Sequence, residues 1–193
     1  MIKAINISEI PKKTMSMNPK RFLLWMFMVS IIMIFASLTS AYIVRQAEGN
    51  WLMYELPNLL WYSTAILMLS SLTAQLAYRA GKHDNINAIK GYLSVSVILG
   101  IVFLITQVYS WGVLVDNDVY FVGNPSGTFL YVLMGVHGLH LVSGIIYLLI
   151  MMVRSFNNKV HSKNLLQLGL SVSYWHFLDG LWLYLFIFLL LNH

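Results

Sequence analysis

Two pairs of ionisable side chains sit inside long apolar runs. His176 and Asp179 lie in Tyr174-Trp175-His176-Phe177-Leu178-Asp179-Gly180-Leu181-Trp182. His137 and His140 lie in Gly135-Val136-His137-Gly138-Leu139-His140-Leu141-Val142-Ser143-Gly144. Residues at i and i+3 of a helix share a face, so each pair can act on one neighbour. His176 could donate a ring proton to Asp179 in a charge-assisted bond. Such a pair serves either as glue between helices or in a proton relay. His137 and His140 open a metal or haem reading, because neutral imidazole is a common ligand. Two histidines adjacent on one helix cannot easily take both axial positions of one haem. His176 could in principle complete a site with them. The competing readings are hydrogen bonding between helices and contact with a lipid head group or a partner subunit.

The elements that hold these residues are set by composition. The chain has 193 residues, 59% of them hydrophobic and 10% charged, with a mean hydropathy of +0.71. A soluble domain carries about 25% charged residues, so this is a membrane protein. There are no cysteines, which excludes disulfides, thiolate metal sites and cysteine nucleophiles. The formal charge of +5 is not read as nucleic-acid binding, because what matters is where charges sit relative to the apolar runs.

Five apolar runs, Phe22–Val44, Leu56–Tyr78, Gly91–Val115, Thr128–Val153 and Leu168–Leu191, each reach the roughly 20 residues needed to cross a bilayer as a helix. Barrel strands would be about 10 residues long and alternating. The reading is therefore all-α: a polytopic membrane protein with five transmembrane helices. A basic segment, residues 1–21, precedes a five-helix domain, residues 22–191. Lys and Arg number five, one, three, none, three and none through the successive exposed segments. Positive residues favour the cytoplasmic side, which puts the N-terminus in the cytoplasm and the C-terminus in the periplasm. Connections this short make sequence neighbours antiparallel neighbours in space.

Local signals refine this picture. Trp175 and Trp182 lie deep in the fifth span and should pack between helices. Gln75 and Gln107 should each bond across a helix interface. Gly135, Gly138 and Gly144 permit close approach, and Ser37-x-x-Ser40 and Ser70-Ser71 are small-residue packing signals. Pro57 suits the first turn of the second helix, and Ser126 its place as cap of the fourth. His193 is read as having no catalytic role. Spans one to three hold no Asp, Glu, Lys, Arg or His in their apolar cores.

Four segments together resemble subunit III of the haem-copper oxidases, in its short bacterial form with five helices. Phe129-Leu130-Tyr131-Val132-Leu133-Met134-Gly135-Val136-His137-Gly138-Leu139-His140 is similar to that family's FxxLTGxHGxH signature. Tyr174 to Trp182 is similar to its YWHFVDxVW. Gly100-Ile101-Val102-Phe103-Leu104-Ile105-Thr106-Gln107-Val108-Tyr109-Ser110-Trp111 is similar to GxxFlxxQxxEW. Leu56-Pro57-Asn58-Leu59-Leu60, continued to Ser70-Ser71-Leu72-Thr73, is similar to LPNTxxLxxSSxT. Two carboxylates of the pattern are absent. Ile31 follows Ser30 where the family's first span here commonly has glutamate, and Ser110 stands where the third often has one.

The resemblance implies an accessory subunit of a proton-pumping terminal oxidase that reduces dioxygen to water, with cytochrome c as the preferred donor and quinol as the alternative. It implies no catalytic, cofactor or metal residue in this chain. Haems and copper would reside in partners, namely oxidase subunits I and II, with a larger respiratory supercomplex as a further assembly. Bound phospholipid is expected, and the location implied is the bacterial inner membrane. His137, His140, His176, Asp179, Gln107, Trp175 and Trp182 are then structural, lipid-contact or partner-contact residues. A small proton-coupled transporter and a haem-bearing membrane anchor are the alternatives of another class. The absence of a visible internal repeat or broken helix counts against the transporter.

Overall fold

The computed structural model describes residues 18–52, 54, 56–157 and 165–192. Lys3, Lys12, Lys13, Glu55, Lys159, Lys163 and His193, which entered the charge reading or the terminal assignment, lie outside the described residues. Five α-helices follow one another: α1 (Pro19–Ala47), α2 (Leu59–Lys82), α3 (Ile86–Asp116), α4 (Pro125–Phe156) and α5 (Leu166–Asn192). All five are long and apolar enough to cross a membrane. The chain is thus an all-α, five-span polytopic membrane protein. Four of the helices extend beyond the apolar runs at both ends, because asparagine caps and polar turns continue the backbone ladder past the hydrocarbon. Asn18, Asn85 and Asn124 each accept a bond from a backbone N–H of the first turn, which satisfies a donor that has no partner within the helix.

Two sequence expectations about helix starts are corrected. Pro57 lies outside α2, which begins at Leu59 behind Asn58; the Pro57 carbonyl accepts from Leu60 N at 3.0 Å. Asn124, not Ser126, caps α4, with Pro125 in the first turn. The Ser126 hydroxyl instead donates to the Leu52 carbonyl at 3.0 Å, which ties the α1–α2 connection to the start of α4.

The tightest helix pair is α2 with α3. Its cause is visible in the buried rows. In α2 the row is Leu60, Ser63, Leu67, Ser70, Ala74, Ala77 and Gly81. In α3 it includes Ile89, Leu93, Ser96, Gly100, Phe103, Gln107, Ser110 and Leu114. Both rows step alternately by three and four residues, the spacing of a heptad seam. Their small members let two backbones approach closely, which is what favours helix association where lipid is as apolar as the protein.

The expected chain of antiparallel sequence neighbours holds from α2 to α5 but fails at α1. That helix packs mainly against α4 and α5 instead of α2. α5 is the centre of the bundle: thirteen of its residues are buried, against five in α1. It contacts α1, α2 and α4. Ser37 and Ser40 are exposed, so that small-residue pair does not serve packing within this chain.

The α3–α4 connection is held by backbone acceptors. Thr128 Oγ1 donates to Phe121 O at 2.6 Å and Tyr131 OH to Val119 O at 2.9 Å. A Cβ on Gly127 would strike the Tyr120 carbonyl oxygen, a backbone atom that cannot swing aside, whereas one on Gly135 would meet nothing within 4 Å. Gly127→Ala is therefore expected to lower the melting temperature of the purified protein clearly, and Gly135→Ala to leave it unchanged or raise it. Equal effects would show that the Tyr120 contact does not constrain the connection.

Candidate functional site

The chemistry-bearing residues gather on α5, where it faces α2. Trp175 is fully buried and its Nε1–H donates to Ser70 Oγ at 3.2 Å. The Ser70 hydroxyl in turn donates to the Ser96 carbonyl of α3 at 2.9 Å. Two turns further on, Trp182 Nε1 donates to Thr64 Oγ1 at 3.0 Å. The two tryptophans thus use their single donors to fasten α5 to α2, and their ring areas to fill the space around it.

Trp175 is gripped from both sides. Its ring faces Gly100 of α3 and Gly144 of α4; a Cβ on either glycine would lie 2.9 Å from Cη2 or 3.1 Å from Cε3. Gly144 therefore has the close-approach role read from the sequence. Gly135 and Gly138 do not: both face open space.

His176 and Asp179 share a helix face but do not bond to each other. His176 Nδ1 lies 2.5 Å from Ser71 Oγ and Nε2 lies 3.1 Å from Gln75 Oε1. An amide oxygen only accepts, so the ring carries its proton on Nε2 and accepts from the Ser71 hydroxyl on Nδ1. The expected His176–Asp179 bond is replaced because serine and glutamine on α2 satisfy both ring nitrogens. Asp179 is 3% exposed and neither carboxylate oxygen has a hydrogen-bond partner, although Ser71 lies beside it.

The other histidine pair also departs from expectation. His140 Nδ1 donates to the Val136 carbonyl of its own helix at 2.7 Å. His137 is 1% exposed, stacks on Trp182 at 5.3 Å between ring centroids and has no partner for either nitrogen. Neither histidine makes the inter-helix hydrogen bond read from the sequence. Both instead pack against Phe35 of α1, at 6.2 and 5.8 Å. No group of three or more His, Cys, Asp or Glu that could hold a metal comes together among the described residues.

Gln75 and Gln107 do bond across interfaces, the latter through Nε2 to Ser63 Oγ at 3.3 Å. Sequence reasoning missed Thr64, Ser63, Ser96 and the Thr39–Tyr184 contact of 3.1 Å between α1 and α5. The signal available was the seven-residue repeat from Ser63 to Ser70 and from Thr64 to Ser71. It sets two adjacent polar stripes along α2.

The seam makes a prediction that separates its members. His176→Phe leaves the half-buried Ser71 and Gln75 without their partner, at about 1 kcal/mol for each lost hydrogen bond. Asp179→Leu removes oxygens that bond to nothing and is expected to cost less than His176→Phe. Unfolding of the detergent-solubilised protein measures both. A larger loss for Asp179→Leu would make the carboxylate, and not the imidazole, the fastening element.

Two clefts meet at His176. One, about 640 Å³, includes Arg21, Trp25, Gln75, Tyr78 and Gly169 in its lining; the other, about 500 Å³, includes Phe35, Ala36, Gly180 and Tyr184. They exist because α1 leans on α4 and α5 and leaves α2 largely uncovered on that side.

Comparison with known proteins identifies the family. The family model for cytochrome c oxidase subunit III matches residues 52–192. The chain is 29% identical over 185 residues to the cytochrome bo(3) ubiquinol oxidase subunit 3 of Buchnera aphidicola, covering 94% of this chain and 97% of that one. It is 26% identical over 167 residues to the cytochrome c oxidase subunit 3 of Bacillus sp. (strain PS3), covering 84% and 80%. It is 27% identical over 172 residues to a probable quinol oxidase subunit 3 of Staphylococcus epidermidis, covering 84% and 83%. Five spans and bacterial relatives make this a multi-pass protein of the bacterial inner membrane. With the model spanning α2 to α5 and the residues of the seam lying inside it, the chain belongs to the cytochrome c oxidase subunit III family.

Proposed function

We propose that this chain is the accessory, cofactor-free third subunit of a quinol-oxidising terminal oxidase, bracing a catalytic subunit that reduces dioxygen to water and pumps protons. The observation that carries the donor is the end-to-end match to a ubiquinol oxidase subunit, 94% of one chain on 97% of the other. That favours quinol over the cytochrome c read from the motif wording, although relatives named for cytochrome c oxidase match as well. The haems and copper belong to the catalytic subunit I in the quinol-oxidising form; subunits I and II are the expected partners, alone or within a supercomplex. Three side chains of the α5 seam support a passive role: Trp175, His176 and Trp182 spend their hydrogen bonds on α2.

The domain reading stays as a basic cytoplasmic segment, residues 1–21, followed by a membrane domain, residues 22–191. The orientation is N-terminus inside. Lys20, Arg21, Arg79, Lys82, Lys90 and Arg154 fall at the end of the bundle where α1 starts, and Asp116 and Asp118 fall at the opposite end. Phospholipid is proposed for the clefts at His176. Arg21 stands where a head-group phosphate would lie, with apolar walls beyond it for acyl chains.

The donor is tested on the complex purified through a tag on this chain. Quinol-driven oxygen consumption, together with a companion subunit II that lacks a dinuclear copper centre, is the expected result. Turnover with reduced cytochrome c and a dinuclear copper signal would overturn the quinol assignment while leaving the family intact.

A further inference from the structure

The larger of the two clefts at His176 is unusual for a surface at membrane depth. Polar atoms form the greater share of the surface it presents, whereas the smaller cleft beside it is almost wholly apolar. The polar groups come from three helices. Arg21 and Trp25 line it from one face of α1, one turn apart. Gln75 and Tyr78 line it from one face of α2, and Ser173 from α5. Ser173 is exposed, and Gln75 and Tyr78 are half-buried.

What these groups still offer is one-sided. Gln75 Oε1 accepts from His176 Nε2, and His176 Nδ1 accepts from Ser71. No free carboxylate, amide oxygen or imidazole nitrogen is left among the described residues that line the cleft. The Gln75 amide nitrogen, the Tyr78 hydroxyl and the Ser173 hydroxyl make no hydrogen bond among the described residues, and none of them is enclosed. Arg21 and Trp25 add a guanidinium and an indole N–H, which only donate. The cleft thus has donors to spare. Tyr78 is held ready for this: its ring lies against Gly169, where a Cβ would come within 3.2 Å of it, and Lys82 Nζ stands 5.0 Å from the ring centroid.

Depth decides which ligand atoms those donors meet. Arg79 and Lys82 mark the head-group level in the last turn of α2. At 1.5 Å per residue, Tyr78 lies about 6 Å and Gln75 about 10 Å inside that end, and Ser173 about 10 Å inside the start of α5. The polar zone of a bilayer is about 5–7 Å thick on each side, so the three donors stand at its lower border. In a glycerophospholipid the atoms at that border are the ester carbonyls of the two acyl chains, which only accept. Arg21, in the first turn of α1, stands above them at the level of the phosphate. The apolar cleft walled by Phe35, Phe177 and Leu181 then takes a chain. Resting on the phospholipid occupancy proposed for this cleft, we propose that it selects lipids by linkage. It binds a diacyl glycerophospholipid whose ester carbonyls accept hydrogen bonds from Tyr78, Gln75 and Ser173. A dialkyl ether lipid with the same head group keeps the phosphate contact with Arg21, but it has no carbonyl and leaves those donors facing hydrocarbon.

The test is a competition between two lipids. The complex, purified through this chain, is reconstituted in nanodiscs that hold equal amounts of a phosphatidylglycerol with two ester-linked chains and its ether-linked twin of the same chain length. After a detergent wash, native mass spectrometry counts the lipids that leave with this chain when the complex dissociates. The expected result is several-fold enrichment of the ester form over the ether form. In the double variant Tyr78→Phe, Ser173→Ala, which removes two hydroxyls and leaves Arg21 in place, most of that enrichment is lost while phosphatidylglycerol is still retained. Equal retention of the two forms by the unmodified protein would overturn selection by linkage and leave the phospholipid reading standing. Enrichment unchanged in the folded double variant would also overturn it. Neither lipid on the released chain would remove the phospholipid reading itself, and the proposal with it.

Discussion

Trp175→Ala is expected to destabilise the bundle by about 3–5 kcal/mol, the range for removing a large aromatic side chain from a core that cannot collapse. The site cannot collapse because its walls are backbone. Gly100 and Gly144 face the ring from α3 and α4, and neither has a side chain to swing into the space. The mutation also removes the hydrogen bond that Ser70 accepts from the indole, leaving its hydroxyl bonded only to Ser96 O. Three helices therefore lose their common contact at once. Thermal or SDS-induced unfolding, followed by tryptophan fluorescence or helix content, reads the loss. A melting point within a few degrees of the unmodified protein would mean that α5 is held elsewhere.

The second large effect comes from adding bulk at the same node. Gly144→Leu must place its Cβ 2.8 Å from Leu178 Cδ1 and 3.1 Å from Trp175 Cε3. The leucine tip can rotate away. Trp175 cannot, being pinned by Ser70 on one side and Gly100 on the other. Overpacking a filled core costs about 1–3 kcal/mol and sometimes more, and this position is expected at or above the top of that range. Gly112→Ala is the control, because a Cβ there meets nothing within 4 Å; it should be neutral or slightly stabilising, since alanine is the better helix former. A tolerated Gly144→Leu beside an equally tolerated Gly112→Ala would show that α4 can move off α5 without loss.

These two effects explain why part of the fold is legible in the sequence and part is not. Span length and apolar character are local properties, so all five helices follow from hydropathy. The inner face of each helix is harder to read. Met33 is 67% exposed and Phe35 1%, yet both are apolar, because the outer face is meant for lipid. What marks the inner face is the stripe of small and hydroxyl residues, Ser63, Ser70, Ala77 and Gly81 in α2. The same logic governs the site. Spacing correctly puts His176 and Asp179 on one side of α5, but spacing on one helix does not name the opposing residues. Ser71 and Gln75 win the imidazole because α2 brings both at once. For His137, inter-helix bonding is one of the readings the sequence leaves open, and the neighbours that arrive are Trp182 and Phe35, which offer ring faces and edges but no acceptor. The displacement of α1 toward α4 and α5 is likewise a tertiary choice, made where α5 already occupies the side of α2 that α1 would need.

The proposed function rests on one physical division of labour: this chain would supply packing, and other chains the redox centres. That division is tested most directly by purifying the complex gently through this chain, separating its subunits, and measuring haem absorbance and metal content in each fraction. The account predicts haem and copper in the catalytic companion subunit, and a featureless visible spectrum with no stoichiometric iron or copper in the fraction holding this chain. A Soret band that travels with this chain alone, and that is lost in His137→Phe, would contradict it.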